Sequence, residues 1–227
     1  MDSWLHLGHT FNCRLDDAED INSKRNSLIS QINTLLCYFG SLDSVVKSKL
    51  FKAYCSSMYG CELWSLEHEM IQQYCIAWRK GQRRVWDLPC NTHNDLLPIV
   101  CNCLPVFDEI CRRSILFIHK CMSHESDLIR FVLRHGILFA RTRSVIGSNV
   151  LFCSERYGFG INDLINGSVT NATFVNYCMN SVSDFTVNTG LFLLEALALR
   201  NGSFSLSNNI TLNKDDINDI ITYLATS

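Results

Sequence analysis

From residue 16 to about residue 140, apolar side chains recur every three or four positions between short polar breaks, a spacing that predicts a series of amphipathic helices. In LDDAEDINSKRNSLISQINTLLCYFG, Ile21, Leu28, Ile32, Leu35 and Phe39 share one face. Asp16 or Asp17 stands at the cap and Gly40 at the stop, for a helix of about five or six turns. SLDSVVKSKLFKAYCSSMYGCELW restarts at Ser41 and Asp43 and is expected to bury Val46, Leu50, Phe51, Tyr54 and Met58. The short link between the two makes an antiparallel pair the natural arrangement. A third helix, about 67–87, aligns Met70, Tyr74, Trp78, Gly81, Val85 and Leu88 and ends before Pro89. Asn91 or Thr92 then caps a short helix near 93–101. Pro105 opens another, with Phe107, Ile110, Ile115, Leu116 and Ile118, running to about His124, and Asp127 opens DLIRFVLRHG.

The two ends read differently. WLHLGHTF, residues 4–11, has the alternation of a short strand with a turn at Gly8, and an isolated hairpin is marginal in water, so an orphan strand is equally expected. Beyond about residue 150 the periodicity weakens. Residues 158–185 are rich in Gly, Asn, Ser and Thr, and 213–226 reads as a short terminal helix behind Asn213 or Asp215. No internal repeat is present. The fold class is therefore mainly α, a helical bundle with a short N-terminal β-hairpin or orphan strand. It divides into 1–15, a helix pair over 16–66, a basic helical region over 67–150, and a loosely attached, partly helical tail over 151–227.

Composition adds a core and an uneven charge. With 227 residues, 47% of them hydrophobic, the chain can bury a core. The net charge is −2, yet residues 79–143 hold 11 Lys and Arg against 6 Asp and Glu, while 151–227 hold 3 against 7. The densest part is AWRKGQRRVWDLPCNTH, where Arg79/Arg83 and Lys80/Arg84 form two i, i+4 pairs on adjoining rows of one helix. A phosphate backbone suits such a surface, and each phosphate neutralised releases counterions. The plainer alternative is a solvated basic face. Trp78 and Trp86 are expected to pack the opposite side. Arg112, Arg113, Arg130, Arg134, Arg141 and Arg143 could extend the surface.

Other chemistry is poorly represented. Cys90-x-x-His93 with Cys101-x-Cys103 offers four zinc ligands, and His119-x-Cys121-x-x-His124 three more, but Cys-x-Cys points its thiols apart on a helix. No metal, other cofactor or catalytic residue is assigned. There is no Gly-x-Ser-x-Gly elbow and no phosphate-cradling glycine loop, so no small-molecule substrate is expected. The twelve cysteines, with no basic and apolar leader in MDSWLHLGHTFN, suggest free thiols in a reducing compartment, nuclear or cytoplasmic. The Asn-x-Ser/Thr triplets at Asn166, Asn171, Asn201 and Asn209 stand against that reading. GLFLLEALAL is short and interrupted by Glu195, so no membrane partner is expected.

The order of WLHLGHTF, LDDAEDI, KRN, KLFKAYCSSMYGCELW and AWRKGQRRVWDLPCNTHNDLL resembles the C-terminal portion of non-LTR (LINE-type) retrotransposon reverse transcriptases, over about residues 4–120. The resemblance implies a primer-grip end of the palm over 1–15, a thumb-like helix pair over 16–66 and a connector over 67–150. His6, Leu7 and Gly8 then fall at the primer grip, with His6 where the family has an aromatic residue, usually Tyr. Asp16-Asp17 opens the first thumb helix and is not the catalytic pair, which needs an apolar hairpin and a third carboxylate from an earlier strand. The fingers and nearly all of the palm are missing. The resemblance therefore implies a noncatalytic piece of an RNA-directed DNA polymerase. Its partners would be RNA, DNA or an RNA–DNA hybrid, together with a polymerase partner supplying the missing palm. A helical protein-interaction scaffold or retroelement remnant is the other reading, with an exposed apolar patch along Trp4, Leu5, Leu7 and the first helix.

Overall fold

The computed structural model describes residues 3–178 apart from Leu7, His93, Asp95, Leu96, Asn102 and Arg141, and for Ile99 and Val100 the backbone alone. The expected terminal helix at 213–226 lies outside the described residues. Strands β1 (Ser3–His6) and β2 (His9–Asn12) form an antiparallel hairpin with Trp4 opposite Phe11 and His6 opposite His9. Gly8 turns it at φ 77°, a conformation glycine adopts without steric cost. The strand is thus paired with itself.

Helix α1 (Ala18–Phe39) buries Ile21, Leu28, Ile32 and Leu35 as the spacing requires, while Phe39 at its end is exposed. Asp17 holds the cap position without capping; the Ala18 amide instead donates to Asp16 Oδ1 at 3.0 Å. The acidic run at this helix start ties three segments together. Asp20, fully buried, accepts from the Thr10 amide of β2 at 2.9 Å and from Trp64 Nε1 at 2.8 Å, with His9 Nδ1 3.1 Å away. Asp17 accepts from the Ser65 amide at 2.7 Å, and Asp16 meets His68 Nε2 at 2.9 Å.

After a four-residue break, Asp43 caps α2 (Ser44–Leu50) by accepting from the Val45 amide, and the chain continues as a π-helical turn, Phe51–Cys55. Its buried face is only partly the one the apolar pattern suggests: Phe51 and Met58 are buried and Leu50 half-buried, whereas Val46 and Tyr54 are exposed. Ser44, Lys47, Ser48 and Cys55 point inward as well. That face carries an ion pair, in which buried Lys47 places Nζ 2.6 Å from Asp87 Oδ2, beyond the end of α3.

Helix α3 (Met70–Val85) packs along α1 and buries Ile71, Tyr74, Trp78, Gly81 and Val85. Gly81 marks their closest approach, since a Cβ there would stand 2.4 Å from Ile32 Cδ1. Asp87, at φ 55°, breaks the helix in the left-handed conformation that Asp tolerates better than most residues. Short α4 (Leu97–Val100) leads to α5 (Val106–Met122), with Pro105 at its cap position, and then to α6 (Asp127–Leu138).

Over residues 142–178 the chain holds more helix than its sequence suggests. Helix α7 (Val145–Tyr157) runs across the expected boundary at 150, and α8 (Ile161–Ile165) and a helix over 171–178, α9, follow. Phe159, Leu164, Val169, Phe174 and Cys178 are buried in the same core as α1, α3 and α5. Part of the anchorage is polar. Buried Asp108 of α5 accepts from Tyr157 Oη at 2.6 Å and Arg156 Nη2 at 3.1 Å, and Arg156 lies over the rings of Phe107 and Tyr157. None of the twelve cysteines is in a disulfide; seven are buried, as small apolar side chains are.

Candidate nucleic-acid interface

The apolar face of α3 is fixed against α1 and α5, so its basic residues have only the outer side to occupy. Trp78 is buried, with its ring 5.0 Å from that of Phe51, and Trp86 packs partly against the core. Both tryptophans therefore pack against the core, Trp78 fully and Trp86 in part.

The four cations divide into two pairs. Lys80 and Arg84 open onto a groove between α1 and α3, whose floor is Ile29, Ile32, Ile76, Ala77 and Gly81. Arg25 of α1 stands on the same rim, making three cations around one groove. Arg84 is steadied by a bond from Nη1 to Asn33 Oδ1 at 2.8 Å, and Arg25 by one to Asn22 Oδ1 at 3.3 Å. On the neighbouring row, Arg83 donates from Nε and Nη2 to the Thr92 carbonyl at 3.1 and 2.7 Å, and from Nη2 to Asn94 Oδ1 at 2.8 Å. It clamps the loop after Pro89 while remaining half-exposed. Burial, and then the neighbouring charge of Arg79, lower the pKa of Arg83. Arg79 and Lys80 make no hydrogen bond or ion pair among the described residues.

The more distant arginines are differently placed. Arg112 grips Glu109 through Nε and Nη2, each at 2.7 Å, and donates from Nη1 to Asn171 Oδ1 at 2.7 Å; Arg113 Nε reaches Glu109 at 2.8 Å. Burial alone would raise the Glu109 pKa, but the two guanidinium groups outweigh it and hold it below the usual carboxylate range. These two arginines join α5 to itself and to α9. Arg130 is bonded to Asp127, Arg134 and Arg143 are exposed, and Arg141 lies outside the described residues.

At the other end of α1, the primer-grip-like residues sit in the hairpin. His6 is exposed, Gly8 forms the turn, and Leu7 lies outside the described residues. Lys24 Nζ donates to the Gly8 carbonyl at 2.5 Å, so consecutive residues of α1 serve two places: Lys24 the hairpin turn, Arg25 the groove. Arg25 was not singled out by sequence reasoning. Its signal is positional, four residues after Ile21 and four before Ile29, at the margin of the buried stripe.

Among the described residues no group of three or more His, Cys, Asp or Glu side chains is arranged to hold a metal ion. Cys90 is exposed, Cys101 buried and Cys103 half-buried, while His93 lies outside the described residues; His119 and Cys121 are half-buried and His124 exposed. Among the described residues, no helix is long and apolar enough to cross a membrane. Compared with known proteins, the chain matches no family model, no curated protein and no solved structure.

Proposed function

We propose that the chain is a noncatalytic nucleic-acid-binding helical module, equivalent to the thumb and connector of a non-LTR retrotransposon reverse transcriptase, that grips RNA, DNA or an RNA–DNA hybrid through α3. The observation that carries this is the groove rim. Arg25, Lys80 and Arg84 face outward with Arg79 beside them, on a helix that tertiary packing holds rigid, and none has an acidic partner among the described residues. A solvated basic face needs no such convergence from two helices. The resemblance supplies the class of partner.

The test is anisotropy binding to an RNA–DNA hybrid, single strands and duplex DNA across a salt series. Replacing Arg79, Lys80, Arg83 and Arg84 with Ala is expected to weaken binding and to flatten the logarithmic salt slope by up to about four units, if each cation meets one phosphate. An unchanged slope removes α3 as the interface.

A protein-interaction scaffold is the second reading. It is favoured by exposed apolar side chains at Trp4 and Leu5 of the hairpin and, in greater number, along α6. Absence of nucleic-acid binding at low salt by the folded chain would leave that reading in place.

A further inference from the structure

Helix α6 buries only Leu133 and Ile137 against α5 and α7. Its outer side is apolar: Leu128 is 70% exposed, Phe131 68%, Val132 57% and Phe139 78%. Phe131, His135 and Phe139 form a ladder of rings along it, with centroids 6.3 and 5.5 Å apart. Exposed Arg134 lies on the same helix, and the helix's one acid, Asp127, is already bonded to Arg130. A contiguous apolar surface with a cation on the same helix calls for an amphipathic occupant carrying acids.

The chain contains such a segment. Residues 179–227 lie outside the described residues, and it is their sequence that bears on the face. In DDINDIITYL, residues 215–224, the apolar Ile217, Ile220, Ile221 and Leu224 recur at i, i+3, i+4 and i+7, and the charged side chains are Asp215, Asp216 and Asp219, all acidic. The 36 intervening residues could extend on the order of 100 Å at about 3.3 Å each, so reach is not limiting.

We propose that residues 215–224 bind as an amphipathic helix along the Leu128–Phe139 face of α6, an intramolecular strap with Asp219 near Arg134. This stands apart from the nucleic-acid reading, since α6 carries none of the residues of the α1/α3 groove.

Hydrogen–deuterium exchange on the full chain tests it. Ile220→Glu/Ile221→Glu should speed exchange of the amides of 127–139 by about tenfold while leaving α1 and α3 unchanged. Should that variant loosen the whole molecule, the surface pair decides: R134E should speed the same amides, and R134E/D219R should slow them again. Exchange over 127–139 that is indifferent to the tail substitutions overturns the proposal. So does light scattering that shows a dimer dissociated by F131E and untouched by I220E/I221E, which would assign the face to a second copy.

Discussion

Lys47 shows how far one residue can depart from its usual place. Its side chain is 1% exposed, and its ammonium meets a carboxylate that is itself 64% exposed. An ammonium in that position is tolerated only while its partner is present. Asp87→Ala is expected to cost about 1–3 kcal/mol, the penalty of a buried polar group left unpaired. Lys47→Met, which removes the charge and keeps the stem, should cost less; urea denaturation of the two variants would rank them. Glu109 carries a pH dependence of its own. Because its folded pKa is depressed, it contributes stability above its unfolded value near about 4.3, and that contribution is lost as the pH falls through the folded value. Glu109→Gln should flatten the acid limb of a stability-against-pH curve by lowering stability at neutrality, and the two proteins should converge below the folded value.

Among the elements, the contact of α1 with α3 sets the width of the groove. Gly81→Ala would gain about 1 kcal/mol of helix propensity but drive its Cβ into Ile32 Cδ1. Overpacking typically costs about 1–3 kcal/mol, but the atom met is the free end of the Ile32 side chain at the groove floor, which can turn aside, so the two effects largely offset. Thermal melts of Gly81→Ala should therefore shift by no more than a few degrees. The same contact explains what was legible beforehand. Periodicity places α1, α3, α5 and α6 because their buried stripes are apolar. It misplaces part of the inward face of α2, because Lys47 and two serines take positions that an apolar pattern assigns to solvent. It passes over α7, whose buried face includes Gly147 and Asn149; the latter donates to the Trp64 carbonyl at 2.8 Å and accepts from the Leu66 amide at 2.9 Å. Of the site, the α3 cations are plain in the sequence. Arg25 is not, because its membership depends on how two helices pack.

At the scale of the whole molecule, the described surface carries a three-cation groove rim between α1 and α3 and large exposed apolar side chains along α6 and β1. If Arg25 shares the phosphate contacts, Arg25→Ala alone should lower the salt slope by about one unit, whereas Arg112→Ala, which unties α5 from α9, should lower thermal stability and leave the slope unchanged. Titrations at several salt concentrations beside a melting curve separate the two.

The burial of the thiols has a consequence in time. Cys13, Cys37 and Cys90 are open to reagent, while Cys61, Cys75, Cys111 and Cys153 lie inside the core. Burial also pushes the Cys75 pKa up to about 12, keeping that thiol protonated at neutral pH. Alkylation followed by intact mass should therefore show a fast addition at the three open sites, slower additions at half-buried Cys103 and Cys121, and then a pause. Adducts at the core thiols should then appear together, at the rate at which the molecule opens. The cysteines make the chain its own clock, one that times the opening of the core.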